Sequence, residues 1–325
     1  MSRPIFLITS KGGGNIMAKY IIKRLLMSIV TLWAIVTITF VLMHSVPGNP
    51  FAKEGKMPAV VYENLQKKYG LDKPKSEQYV IYLKNLLKGD FGESMKSRVE
   101  TVNDMINRGF PVSAYLGMEA LLIALIFGPA LGALAALYQN KWPDYLSMIV
   151  AIIGISVPSF IMGTVLIQFI ARNVSWLPIG GWGTFSHTLL PAIALALMPL
   201  AYTARLMRSS MLEVLGQDYI KTAKSKGITK SAVILKHAVR NAILPIISVL
   251  GTLISNLLVG SFVIEKIFGI PGLGLFFVKS IVSRDYTLIM GTTIFYSIIL
   301  IAMLFFVDVA YMFIDPRIRL TKEGR

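Results

Sequence analysis

Cysteine is absent from this sequence, which excludes disulfides, thiolate metal sites and a cysteine nucleophile. Histidine is nearly absent. The three present, His44, His187 and His237, are too widely spaced to suggest a histidine metal cluster. Acids are also few: 17 Asp and Glu stand against 33 Lys and Arg, a net charge of +16. Charged residues of both signs make up only 15% of the chain, where a soluble domain carries about 25%. Much of the surface must therefore face something other than water. No Gly-rich phosphate loop ending in Lys-Ser or Lys-Thr occurs, and Lys11-Gly12-Gly13-Gly14 has the wrong order for one. ATP hydrolysis by this chain alone is thus not expected. A His-Glu-x-x-His pair and a Gly-x-Ser-x-Gly turn are both missing, which argues against an intramembrane enzyme.

What the chain has in abundance is apolar sequence, 54% of its residues. Six stretches, at 25–45, 112–138, 145–170, 189–207, 243–264 and 288–314, are long enough to cross a hydrocarbon core of about 30 Å. Pro129, Pro158, Pro191, Pro199 and Pro245 fall within them, as neighbouring helices in a membrane allow. A charge of +16 raises nucleic-acid binding. The basic residues flank the apolar stretches, however, which is the positive-inside pattern. They gather before the first stretch, between the fourth and fifth, and after the sixth, so these regions share the cytoplasmic side. The expected class is an all-α integral membrane protein with six transmembrane helices and both termini cytoplasmic. Residues 1–16 read as a flexible tail and 17–46 as an uncleaved first span, too long for a signal-peptide core. Either Met1 or Met17 serves as a start. The core spans 112–314, and 315–325 form a cytoplasmic tail.

Region 47–111 is Lys-rich yet lies outside, and loops of that length translocate regardless of charge. Val61, Leu65 and Tyr69 recur at helical spacing, as do Tyr79, Tyr82, Leu83, Leu86 and Leu87. A small helical extracytoplasmic domain follows. On the cytoplasmic side, 209–245 is the most informative stretch. Leu212, Leu215, Tyr219 and Ala223 predict an amphipathic helix, Gly227 a C-terminal cap, and Thr229 the cap of a second helix carrying Val233, His237 and Arg240. A basic, structured loop of this kind needs a protein partner or an anionic lipid surface.

The run Tyr219-Ile220-Lys221-Thr222-Ala223-Lys224-Ser225-Lys226-Gly227, followed by His237-Ala238-Val239-Arg240-Asn241-Ala242-Ile243-Leu244-Pro245, resembles the EAA loop of ABC importer permeases in their peptide branch. A basic residue replaces the motif's acid, and the distance from Gly227 to Pro245 is longer than in sugar-type permeases; both are usual in that branch. Further matches cover nearly the whole chain from Met17: Pro47-Gly48-Asn49-Pro50, Gly70-Leu71-Asp72-Lys73-Pro74, Gln78-Tyr79, Gly89-Asp90-Phe91-Gly92-Glu93-Ser94, Glu265-Lys266-Ile267-Phe268-Gly269-Ile270-Pro271-Gly272-Leu273-Gly274, Arg284-Asp285-Tyr286 and Asp315-Pro316-Arg317. Within the family the chain looks most like the B-type first permease subunit of oligopeptide importers. Permeases for dipeptides and for a nickel complex share most of these motifs.

The resemblance implies a type I importer permease fold in a bacterial or archaeal cell membrane. It also implies a non-catalytic subunit that forms half of a peptide pathway. Its partners would be a second, homologous permease subunit, two cytoplasmic ATPase subunits that hold ATP and Mg, and an extracytoplasmic peptide-binding protein. No cofactor is expected on this chain. Tyr219, Lys221, Thr222, Ala223, Lys224, Lys226 and Gly227 would couple to an ATPase, although positive-inside bias accounts equally for the lysines. Asn256, Glu265, Phe268, Pro271, Gly272, Gly274, Arg284 and Asp285 would line the pathway or gate, or face the binding protein. An ordinary outer turn with a short helix is the plainer reading of 265–286. Glu119 and Asp308, near span ends, are expected to pack, snorkel or pair with loop cations rather than touch substrate. Asn256, with Gly251, Ser255 and Gly260 nearby, marks a subunit or pathway-lining interface. Gly180, in a short outer loop, is expected to tolerate a side chain. A stand-alone secondary transporter should show inverted repeats or midplane charges, and neither is visible.

Overall fold

The computed structural model describes residues 13–45, 51, 58–97, 99–258 and 262–314. The first helix, α1 (Gly13–Ser45), runs uninterrupted because no proline falls between Pro4 and Pro47. Gly13 and Gly14, expected in a flexible tail, belong to its first turn. Two short helices follow, α2 (Ala59–Lys68) and α3 (Lys75–Leu87), each entered through a proline, Pro58 and Pro74. Gly70, at φ +63°, turns the chain between them.

Helix α4 (Val102–Leu137) begins well before residue 112. Thr101 accepts the Asp104 N–H at 3.1 Å and the Asp104 carboxylate accepts the Thr101 N–H at 3.0 Å, a capping box. That signal lies outside the apolar stretch, so hydropathy alone places the start too late. Helices α5 (Trp142–Ser156) and α6 (Ser159–Leu166), the latter continued by a π turn at Ile167–Ala171, meet at 110°. The straight span expected at 145–170 is therefore bent. Pro158 holds Val157 extended, at φ −94° and ψ 119°, as a residue preceding proline prefers.

Helix α7 (Phe185–Leu215) extends past the span expected at 189–207 and leads to α8 (Asp218–Ser225). Next come α9 (Lys230–Ala232), a π stretch at Val233–Val239 and α10 (Arg240–Ala242). This rod meets α11 (Leu244–Leu258) at 49°. Pro245 sits in the first turn of α11, where its missing N–H costs nothing. Helices α12 (Phe262–Phe268), α13 (Leu273–Ser283) and α14 (Tyr286–Ile314) complete the described chain. By length and composition α1, α4, α7 and α14 can each cross a membrane, and the two bent pairs bring the total to six if each is one span.

Helices α4 and α7 make the most extensive helix pair. Glycine permits it: a methyl group at Gly128 would strike the Thr203 hydroxyl, and one at Gly132 the Ala204 carbonyl. Helix α5 approaches α7 in the same way, with the Cβ position of Gly154 at 2.7 Å from the Leu197 carbonyl. Small residues at helix contacts supply this closeness in membranes. Gly251 likewise faces Val307 of α14, and buried Ser255 lies on the same helix. Gly251 therefore closes a contact inside the chain, while Asn256 is exposed. Helix α1 packs on α14 and pairs Arg24 with Asp308. Most of its apolar residues remain exposed, as suits a lipid-facing helix. Its C-terminal half meets α3 through the hydroxyls of Thr37 and Tyr79, 2.6 Å apart, and His44 with Gln78 at 3.1 Å. The turn at Pro47-Gly48-Asn49-Pro50, Gly260, the Asp315-Pro316-Arg317 motif and the tail at 315–325 lie outside the described residues.

Candidate functional site

Helix α8 is short, and tertiary contact holds it. Gly216 ends α7, so the single amphipathic helix expected across Leu212 and Ala223 is two helices with a corner between them. On α8, Ile220 is fully buried and Ala223 nearly so. They insert into an apolar cluster with Met207 and Met211 of α7, Val233 and Ala238 of the π stretch, and Ile246 of α11. Burying an isoleucine side chain is worth about 1.5–3 kcal/mol. The opposite face is exposed and carries Tyr219, Lys221, Thr222, Lys224 and Lys226.

The C-terminal end of α8 is closed by a Schellman motif. The Ile228 N–H reaches the Ala223 carbonyl at 3.3 Å and the Gly227 N–H the Lys224 carbonyl at 3.0 Å. Gly227 has φ +76°, and nothing lies within 4 Å of the position a Cβ would take. Its need for glycine is conformational, not steric. Thr229 stands at the N-terminus of α9, but its side chain accepts no capping hydrogen bond. Asn241 Nδ2 donates to the His237 carbonyl at 2.8 Å and to the Tyr219 hydroxyl at 3.2 Å, tying the rod to α8. Lys221 pairs with Asp218 at 2.9 Å in solvent, an interaction of small energy. Exposed Leu235 and partly exposed Ile228 interrupt the lysines, so this surface mixes apolar and cationic groups.

Of the residues expected at the ATPase contact, Ala223 does something else: it anchors the helix from beneath. Ile220 does the same and was not singled out, although its position between Tyr219 and Lys221 on a helix of period 3.6 marks it as inward-facing. Also unforeseen is the brace of Asp144 and Arg208. Arg208 Nε and Nη2 donate, at 2.6 and 2.7 Å, to an Asp144 carboxylate that is almost wholly buried. The same carboxylate takes the Asn140 N–H at 3.0 Å, so the α4–α5 turn is fastened to α7. A lone acid just before one apolar stretch and the pair Arg205 and Arg208 at the end of another were the available signal.

The α12–α13 hairpin is packed inward. Glu265, Phe268, Gly272, Gly274 and Asp285 are buried within the chain and line no exposed surface. Pro271 is exposed and Arg284 half-buried in a left-handed conformation at φ 58°. Helix α13 packs against α4 and α14, and α12 against α6 and α7. Gly180 is not a free loop glycine, since a Cβ there would strike the Phe268 carbonyl, and the neighbouring Gly181 N–H donates to that oxygen at 2.7 Å. Asp308 pairs with a cation as expected. Glu119 is packed instead: its carboxylate oxygens are buried beside Thr188, with no ion pair among the described residues.

Comparison with known proteins follows the same division of the chain. Residues 128–320 match the family model described as binding-protein-dependent transport system inner membrane component, and residues 17–116 the model for the N-terminal part of such membrane components. The dipeptide transport system permease protein DppB of Bacillus subtilis is 54% identical over 308 residues, 95% of this chain and 100% of that one. The oligopeptide transport system permease protein OppB of Haemophilus influenzae is 45% identical, covering 93% of this chain and all of its own length. OppB of Escherichia coli K12 is 43% identical with the same coverage.

Proposed function

This chain belongs to the family of binding-protein-dependent transport system inner membrane components, and from that premise we propose that it is the permease subunit of an ATP-driven peptide importer. It forms half of the translocation pathway beside a second, homologous permease subunit. Two cytoplasmic ATPase subunits bind ATP and Mg, and an extracytoplasmic binding protein delivers the peptide. The amino and carboxyl ends lie in the cytoplasm, and the lobe of α2 and α3 lies outside.

The observation that carries the coupling role is the two-faced construction of α8. Ile220 and Ala223 fix it to α7 and α11, and the face with Tyr219, Lys221, Thr222, Lys224 and Lys226 is free. A helix fixed this way moves with the spans beneath it. When the ATPases close on ATP, a push on the exposed face is delivered to Met207 and Met211 on α7 and to Ile246 on α11. The exposed apolar groups give a groove something to hold, and the lysines suit acids on its rim. Oligopeptides are the first substrate class to test. Dipeptides are the second reading, favoured by the 54% identical relative named for them.

The test is reconstitution. Coexpressed with its candidate second permease and ATPases, the chain should co-purify with them and, with binding protein outside, take up labelled peptide into vesicles only with ATP. Competition by dipeptides against longer peptides ranks the two readings. ATP-independent uptake by this chain alone would sink the proposal.

A further inference from the structure

Helix α13 is held at its N-terminal end by the buried Glu265 carboxylate, and at its C-terminal end the backbone N–H of buried Asp285 donates to the Ser280 carbonyl at 2.9 Å; neither carboxylate forms an ion pair among the described residues. At the N-terminal end, fully buried Glu265 of α12 accepts the Ser113 hydroxyl of α4 at 2.7 Å and the Leu275 N–H at 3.2 Å. The Ser113 oxygen accepts the Leu273 N–H at 2.9 Å. Two N–H groups that a helix start leaves unpaired are thus satisfied by side chains of two other helices, with negative charge where the helix dipole favours it. Three glycines make room. A Cβ at Gly272 would lie 2.6 Å from the Ser113 hydroxyl, one at Gly274 2.9 Å from the Phe262 Cα, and one at Gly109 of α4 2.8 Å from the Leu273 nitrogen.

At the C-terminal end, Asp285 is also buried. Its carboxylate accepts the Ser94 hydroxyl, the Met95 N–H at 3.1 Å and the Leu288 N–H at 3.1 Å. One aspartate therefore caps α14 and holds the outer segment. Ser94 is buried too, and its carbonyl accepts the Tyr69 hydroxyl from the end of α2 at 2.9 Å. A continuous chain of polar contacts runs from α2 through Ser94 and Asp285 to α13, and from α13 through Glu265 and Ser113 to α4.

We propose that Glu265 and Asp285 are positioning residues that make α13 a strut, passing displacement of the outer lobe into α4 and α12. The proposal rests on the reading that the outer lobe faces a binding protein. A short helix transmits a push only if neither end can slide. Buried, directional hydrogen bonds meet that need better than exposed ion pairs, which salt screens. Through α4, which packs along α7, docking outside reaches a helix that α8 engages.

The experiment measures ATP hydrolysis by the complete importer in lipid nanodiscs, with rising concentrations of peptide-loaded binding protein. Ser94→Ala, Asp285→Asn and Glu265→Gln should each lower the maximal stimulated rate about fivefold or more, the scale of site-to-site coupling. Basal hydrolysis, subunit stoichiometry and the half-saturating binding-protein concentration should stay as in the unaltered complex. Ser94→Ala combined with Asp285→Asn should do no more than Asp285→Asn alone, because both remove one contact. Undiminished stimulation in all three variants overturns the strut. So does a parallel fall of basal and stimulated rates, which would mean lost folding only. So does a raised half-saturating concentration at full maximal rate, which would place Asp285 in the docking surface. If binding protein fails to stimulate the unaltered complex, the proposed function falls first and this inference with it.

Discussion

Gly227 and Gly89 have the same backbone conformation, φ +76°, and at each a Cβ would find nothing within 4 Å. They differ only in place: Gly227 closes α8, whereas Gly89 follows α3 in the outer lobe. A side chain in this region of the backbone adds about 1 kcal/mol of strain, modest for a protein with this many packed helices. It is large for a surface that must fit a groove within about 0.5 Å. Gly227→Val should therefore leave membrane expression near normal and abolish ATP-dependent peptide uptake, while Gly89→Val should leave both nearly unchanged. Normal uptake by the Gly227 variant would return α8 to the role of a lipid-surface helix. Gly180, the neutral position suggested by its loop, cannot serve as the control, because its Cβ would collide with backbone.

Among elements, α8 is the one whose sequence and role are easiest to separate experimentally. Its inward face is Ile220 and Ala223, and its outward face is polar. Ile220→Ala removes buried carbon from a packed cluster and should destabilise that region by about 2–4 kcal/mol. Lys221→Ala changes only an exposed pair and should cost at most about 0.5 kcal/mol. Protease accessibility of the 216–229 segment in nanodiscs should rise for Ile220→Ala and not for Lys221→Ala. Peptide-stimulated ATP hydrolysis should fall for Ile220→Ala even with the ATPases bound. Unchanged protease sensitivity in the Ile220 variant would mean that α8 is not held from beneath. Helix α13 differs from it: its N-terminus is held by the Glu265 carboxylate where α8 is held by apolar packing.

For the whole molecule, the open question is the 110° bend between α5 and α6. If the pair is one bent span, three spans separate Lys67 from Lys226, and these residues lie on opposite sides. If it is a re-entrant loop, two spans separate them and they share a side. The chain has no cysteine, so single cysteines at these positions report without background. Lys67→Cys should react with an impermeant maleimide from outside and Lys226→Cys only after the membrane is opened. Same-side labelling would remove one crossing from the fold.

Hydropathy alone located the four long apolar helices and the two bent pairs, because the cost of placing polar backbone and charge in lipid admits few alternatives. It could not set the boundaries that local hydrogen bonding decides. The capping box at Thr101 and Asp104 starts α4 outside the apolar stretch, and Pro158 bends a run that reads as continuous. Around the candidate site, the turn after Lys226 was legible because a left-handed cap calls for glycine and Gly227 supplies it. The direction each side chain faces was not. Glu265 and Asp285 look like surface acids in a Gly- and Pro-rich loop, and Ala223 looks like part of a contact face. In the folded chain, close approach permitted by Gly109, Gly272 and Gly274 brings α13 onto α4 and buries Glu265 among neutral donors, while Ser94 and Met95 enclose Asp285. These partners are separated by more than a hundred residues. Composition and spacing therefore determined that the chain crosses the membrane and where it turns, since those follow from transfer free energy and local backbone preference. Which acids are buried and which helices are tied together was decided by tertiary contact, because those depend on which distant donors the packed helices bring within reach.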